Sequence, residues 1–273
     1  MASATELGTR QAGLVPRPVK LPELEGLDLK FRYYSDRCCG DFFDAVAIGS
    51  RVVFILTDIA GRRAEVFPIA AQMQNVLLAR AKELFEASDA NESESIALLA
   101  RDINRSLIEA AHGVRFAPAF VGCFNTALGV LTYHNAGSLL ALFHDTESVR
   151  VLAPGGIPMG LFTHSTYEPA ILAFGPCAKL LLVTKGITET KRGATTFGIE
   201  RVTRLLEGCS TNSASKICED VLQEVHDFTK NLWSRIQDIL QPGQQHYSDD
   251  LTAVALVRPV QPSGDLTHKP IPA

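Results

Sequence analysis

Four aspartates could do chemistry in this sequence: Asp41, Asp58, Asp249 and Asp250. Asp41 lies in Cys38-Cys39-Gly40-Asp41-Phe42-Phe43-Asp44, and Asp58 in Thr57-Asp58-Ile59-Ala60-Gly61. Between them runs Arg51-Val52-Val53-Phe54-Ile55-Leu56-Thr57, an apolar, β-branched stretch that reads as a strand buried on both faces. A first strand ending near Asp41, paired with a second carrying Asp58 at its tip, would bring both carboxylates to the same end of a sheet. Gly40 and Gly61 nearby let backbone approach a ligand closely. Unpaired acids beside a buried strand are costly unless a cation sits between them. Hard divalent ions such as magnesium and manganese prefer carboxylate, carbonyl and water oxygens, so clustered aspartates from separate strands suit them. Taken singly, each aspartate reads better as an ordinary turn residue, and it is the residues around them that favour a site.

Other chemistries find less support. The seven histidines show no HxxxH or HExxH spacing, which disfavours a zinc hydrolase. Gly155-Gly156 is not followed by the Gly-Lys-Ser/Thr of a phosphate-binding loop, so nucleotide hydrolysis has no signature here. Six cysteines, at 38, 39, 123, 177, 209 and 218, form no CxxC pair and read as reduced thiols. Cys38-Cys39 would lie against the acids, where small buried packing, soft-metal binding and oxidation are all open. The net charge of −4, without a basic stripe, argues against a nucleic-acid partner. No apolar window is long enough to span a membrane, and the N-terminus lacks a signal peptide's pattern, so a cytoplasmic protein is expected.

The elements that must position the acids follow from periodicity. Strands are expected at 28–34, 42–48 and 51–57. A helix opening at Pro68 and running to about Ala87 would place Ile69, Met73, Leu77 and Leu84 on one face. Asn91, with Glu94 three residues on, opens a second helix through Ile96, Leu99, Ile103 and Leu107. Short alternating segments at 119–125, 128–134, 139–144, 148–152, 168–174 and 178–184 read as antiparallel strands. One helix begins near Gly198–Glu200, and another at Ser213 with Ile217, Val221, Val225, Phe228 and Leu232 along a stripe. The last strand is Leu251–Val257, directly after the second acid pair. Such segregated runs indicate an α+β fold with helices covering sheets. Proline-containing ends suggest flexible tails over 1–26 and 259–273, around a single domain at 27–258.

Seven short pieces stand in order along the chain, beginning with Cys39-Gly40-Asp41-Phe42-Phe43-Asp44 and Thr57-Asp58-Ile59-Ala60-Gly61. Thr132-Tyr133-His134-Asn135-Ala136-Gly137 and Gly156-Ile157-Pro158-Met159-Gly160 follow. Leu181-Leu182-Val183-Thr184-Lys185-Gly186, Phe197-Gly198 and Tyr247-Ser248-Asp249-Asp250-Leu251-Thr252 complete the series. In these pieces and their order the chain resembles the PPM (PP2C-like) metal-dependent protein serine/threonine phosphatases, in their bacterial SpoIIE-like branch. The resemblance implies a four-layer α-β-β-α sandwich of two mostly antiparallel sheets flanked by helices. It also implies Mn2+ or Mg2+ at a two-ion site. Asp58 would bridge the ions, the Ile59 carbonyl would bind one, Asp41 would order a metal-bound water, Asp249 would bind the second ion, and Asp250 would support it. Water activated at the metal would hydrolyse phosphoserine or phosphothreonine on a regulatory protein, such as an anti-anti-sigma factor.

One departure bears directly on that site. Where the family has Thr-Asp-Gly, this chain has Thr184-Lys185-Gly186, a swing of two charges among the metal ligands. The ammonium could occupy the second cation's volume and pair with Asp58 or Asp249, leaving one ion, or swing out to solvent. A catalytically impaired relative that binds a partner protein is therefore the alternative reading. Arg62 and Arg63, after the bridging acid, could grip a substrate phosphate or be solvated residues at a helix start.

Overall fold

The computed structural model describes residues 15–35, 40–145, 147–230 and 249–260. In chain order it places β1 (Asp28–Tyr34), β2 (Asp41–Ile48), β3 (Arg51–Asp58), α1 (Arg63–Phe85), α2 (Glu92–Ala110), β4 (Ala119–Asn125), β5 (Val130–Ala136), β6 (Leu140–His144), β7 (Val149–Val151), β8 (Ala170–Ala173) and β9 (Lys179–Val183). There follow α3 (Lys185–Glu189), β10 (Lys191–Arg192), β11 (Thr195–Thr196), α4 (Ile199–Glu207), α5 (Ala214–Thr229) and β12 (Leu251–Val257). One sheet has the order β2-β3-β4-β5-β8 and the other β1-β12-β9-β6-β7, with antiparallel pairing throughout.

The side-chain alternation of these strands dictates the layers. In β3, which is buried along its whole length, Val53 and Ile55 face α1 and α2 while Val52, Phe54 and Leu56 face the second sheet. In β12, Val254 and Leu256 turn toward the first sheet, and Ala253, Ala255 and Val257 pack under α4 and α5. Each sheet thus has apolar cover on both faces, which is why its central strands read as near-continuous apolar runs. The expected α+β, four-layer α-β-β-α sandwich is what the chain forms. The middle layer is aromatic: Phe54, Phe120, Phe124, Phe143 and Phe174 are fully buried there, each contributing about 1.5–3 kcal/mol by leaving water. Phe54 lies opposite Gly122 in the β3–β4 register, and a Cβ at Gly122 would come within 2.6 Å of its ring.

Several expectations shift. The first long helix opens at Arg63, not Pro68, because the Glu65 carboxylate accepts the Arg62 backbone N–H at 3.0 Å and caps it early. Pro68 then sits inside the helix and forfeits the bond to the Ala64 carbonyl. Residues 15–26, expected as part of a flexible tail, lie against the domain. Gln74 accepts the Arg17 N–H at 2.7 Å and donates to the Arg17 carbonyl at 3.0 Å and to buried Asp44 at 2.9 Å. Val19, Leu21 and Leu24 add apolar contact with the middle layer. The short α3 and the β10–β11 hairpin have too few residues to show a period in sequence. Leu232, Cys38, Cys39, Tyr247 and Ser248 lie outside the described residues.

Candidate active site

The β2–β3 hairpin sets the site. Its register pairs Asp41 directly with Asp58, so the two acids stand side by side at one end of the first sheet. Asp41 opens β2 instead of closing a strand, contrary to the sequence expectation, and an antiparallel pair brings acids together only when one starts its strand and the other ends its own. The Ile59 N–H donates to the Gly40 carbonyl at 2.8 Å and extends the pairing one step beyond the strand. A Cβ at Gly40 would fall 2.5 Å from the Ile59 carbonyl oxygen and 3.7 Å from Asp58 Oδ1, so only glycine keeps that space clear.

The second sheet delivers the other acids. Asp249 and Asp250 immediately precede β12, and Asp250 Oδ2 accepts the N–H groups of Gly40 at 2.5 Å and Asp41 at 3.2 Å. Asp250 thus ties the two sheets together at the acid end. Its other oxygen, Oδ1, is buried and has no hydrogen-bond partner among the described residues. Thr184 and Thr252 both donate to Asp41 Oδ2, at 2.6 and 2.5 Å. Sequence reasoning gave these threonines no role, although both fall in the quoted motifs.

Electrostatics follow from the burial. Burial pushes the Asp41 carboxyl well above the usual carboxylate range, and the Asp58 charge adds to it, against the two threonine hydrogen bonds. Asp58 is also raised, chiefly by burial, although the Lys185 ammonium pulls the other way. Burial disfavours the Lys185 charge, but Asp58 and Asp249 more than offset it, so its pKa rises and it stays protonated.

Lys185 stands among the acids rather than in solvent. Its Nζ lies 3.5 Å from Asp58 Oδ2 and 3.8 Å from Asp249 Oδ2, with 39% of the side chain exposed. Arg62 and Arg63 are exposed at the start of α1. Arg63 also borders a cavity of about 350 Å³ that reaches Asp41 and Thr252, and its guanidinium lies 5.6 Å from the centre of the Phe67 ring. Arg115 had no sequence signal. It donates to the Ala60 carbonyl at 2.6 Å and pairs with Glu65 at 3.0 Å, holding the turn that follows Asp58.

The remaining motif residues shape loops behind the site. Asn135 donates to the Leu139 and Leu152 carbonyls, and the Gly137 N–H donates to the Gly156 carbonyl. The loop so held carries Met159, paired to Ala117, and the neighbouring Pro118 carbonyl accepts both the Asp58 N–H and the Thr57 hydroxyl.

The oxygen donors at Asp58 and the Ile59 carbonyl, with space kept clear by Gly40 and an unpaired oxygen on Asp250, fit one hard divalent ion. A second ion between Asp58 and Asp249 does not fit, because the Lys185 ammonium stands there, 3.5 and 3.8 Å from the two carboxylates.

Comparison with known proteins bears on the family and the fold. The family model described as Stage II sporulation protein E (SpoIIE) matches residues 49–259, which include Asp58, Lys185, Asp249 and Asp250 but not Asp41. None of the curated proteins compared matches the chain. Among solved structures, the RsbU and RsbW domains of Rv1364c from Mycobacterium tuberculosis align with TM-score 0.66 at 21% identity, over 91% of this chain and 63% of that one. The SiaA-PP2C domain of Pseudomonas aeruginosa gives 0.62 at 14% identity, over 84% and 85% of the two chains. The PP2C phosphatase domain of SpoIIE from Bacillus subtilis, with a fragment of its regulatory domain, gives 0.62 at 15%, over 86% and 64%. The chain therefore spans a little under two thirds of the first and third of these, and the likeness establishes the PP2C-like fold.

Proposed function

The chain belongs to the Stage II sporulation protein E family, and from that premise we propose that it is a PP2C-type protein serine/threonine phosphatase. Its reaction is hydrolysis of phosphoserine or phosphothreonine on a regulatory protein, giving the free hydroxyl and inorganic phosphate. The observation that carries this reading is the Asp41–Asp58 pairing at the sheet end, with the Ile59 carbonyl beside it. Asp58 and the Ile59 carbonyl would hold Mn2+ or Mg2+, with Asp41, Asp249 and Asp250 around them. When bound, such an ion supplies a nucleophilic water near neutral pH and offsets charge on the phosphoryl oxygens.

The chain's own residues do the rest. Thr184 and Thr252 fix one oxygen of Asp41, leaving the other to orient water and accept its proton. Arg62 and Arg63 would receive substrate phosphate, a role supported by their exposure and by Arg63 bordering the cavity that reaches Asp41. Asp250 locks β12 to the hairpin and so holds the acids in register across the two sheets. A phosphorylated anti-anti-sigma factor is the partner we favour, in keeping with the SpoIIE family and with RsbU and RsbW domains sharing one neighbouring chain.

A second reading has its own observation. Lys185 paired with Asp58 and Asp249 would suit a catalytically impaired relative that keeps the surface as a protein-binding module. Manganese-dependent hydrolysis of an aryl phosphate, by the unaltered chain and by Asp58→Asn, separates the two. The phosphatase reading expects activity that requires manganese and falls by about a thousandfold in the variant. Activity equal in both, or absent from both, would leave the binding module as the better account.

A further inference from the structure

The position of residue 185 is fixed from both sides. The Thr184 N–H donates to the Thr252 carbonyl at 3.1 Å, the Thr184 hydroxyl accepts from the Thr252 N–H at 3.2 Å, and that hydroxyl donates to Asp41. On the other side, a Cβ at Gly186 would overlap the Asp250 carbonyl oxygen and approach Asp249 Cβ to 3.3 Å. The start of α3 is therefore pressed directly onto the turn that bears the second acid pair. From this pinned backbone, the Lys185 side chain reaches into the gap between Asp58 Oδ2 and Asp249 Oδ2. Buried Asp250 Oδ1, which has no donor among the described residues, indicates more negative charge here than nearby donors satisfy.

We propose that Lys185 is a tethered cation: its ammonium takes the place of a divalent ion between Asp58 and Asp249. The chain consequently binds one divalent ion fewer than it would with a carboxylate at 185. An ammonium has three donors and a single charge, so it can hold two carboxylates together, but it cannot activate a water as a metal does. Lys185 is thus a positioning residue that keeps Asp58 and Asp249 in place before any ion arrives. The inference rests on the proposed phosphatase only for the identity of the ion, and the number of ions bound requires no turnover.

The test counts Mn2+ per folded chain by equilibrium dialysis, for the unaltered chain and for Lys185→Asp. It adds the melting temperature of Lys185→Met in chelator and in excess Mn2+. One additional ion in Lys185→Asp is expected. Lys185→Met should melt lower than the unaltered chain in chelator, by at least about 2–4 °C, and recover much of that with Mn2+. If Lys185→Asp folds only with Mn2+ present, that too supports the tethered cation. Equal ion counts in folded chains, or a Lys185→Met that melts no lower in chelator, would overturn it. An inactive unaltered chain with the count difference intact would instead count against the phosphatase reading alone.

Discussion

Strand β3 carries Arg51 at one end and Asp58 at the other, and the fold treats these two charges differently. The Arg51 side chain, 8% exposed, donates to Glu92 at 2.7 Å and to the carbonyls of Phe85, Ala87 and Ser88. Those three oxygens belong to the C-terminal end of α1 and the turn after it, so one guanidinium answers both an acid and orphan carbonyls. At the far end, Asp58 is 5% exposed, yet its ionic partner Lys185 stands off at 3.5 Å while Asp249 and Asp250 add like charge. The first end is fully satisfied and structural. The second keeps an unmet demand for positive charge, as expected of a site that works on a charged ligand rather than one that only holds the fold together.

The contrast can be broken from either side. Arg51→Ala should be the most damaging to folding, because Glu92 and three carbonyls lose their donor together: about 3–5 kcal/mol in denaturant unfolding. The folded fraction should keep its activity per molecule, and a loss of activity without loss of stability would contradict the division of roles. At the acid end the balance reverses. Thr252→Val should leave unfolding free energy within about 1 kcal/mol while lowering kcat/KM by about 10–100-fold, because Asp41 loses half of its hydrogen-bond support. Unchanged kinetics in that variant would remove Asp41 from the chemistry.

The smallest effect sharpens the comparison through pH. An acid whose pKa is higher folded than unfolded binds more protons in the folded state between the two values. Asp41, raised above its ordinary 3.8 mainly by burial, therefore stabilises the metal-free fold at acid pH. That contribution is lost as pH rises through its raised pKa. Metal-free melting temperature should thus gain more on acidification from neutral pH in the unaltered chain than in Asp41→Asn. Manganese should shrink the difference, and parallel pH profiles for the two chains would show that Asp41 is not the group concerned.

Much of this was readable from sequence where the information is local. The Arg51–Thr57 run implies a strand buried on both faces, and the two carboxylates are expected at one sheet end, but the expected strand ending near Asp41 is in fact β2 starting there. What escapes a linear reading depends on pairings between distant segments. The bonds from Thr184 and Thr252 to Asp41 exist because β9 and β12 are neighbours in a register that sets Val183 against Ala253. Arg115 reaches the Ala60 carbonyl across 55 residues of chain, and no periodicity marks such a contact. The choice for Lys185 between pairing and solvent was set by the pinned backbone at Gly186, since a long side chain goes where its Cα allows. Residues 15–26 were harder still. Their composition resembles a loose tail, and only buried Gln74 and Asp44, on other elements, show that the backbone at Arg17 is held.

The position of β12 has a consequence for synthesis on the ribosome. This strand is inserted between β1 and β9, so the earliest described strand waits for the latest before the second sheet can close. Asp249 and Asp250 arrive with it. A nascent chain can pair β2, β3, β4 and β5 as it emerges, since each pairs with the next in chain order with α1 and α2 between β3 and β4, but it cannot assemble the acid cluster. Until residues 251–257 clear the exit tunnel, the growing protein carries the hairpin acids without their counterparts, and whatever the site does begins only after the whole sandwich is in hand.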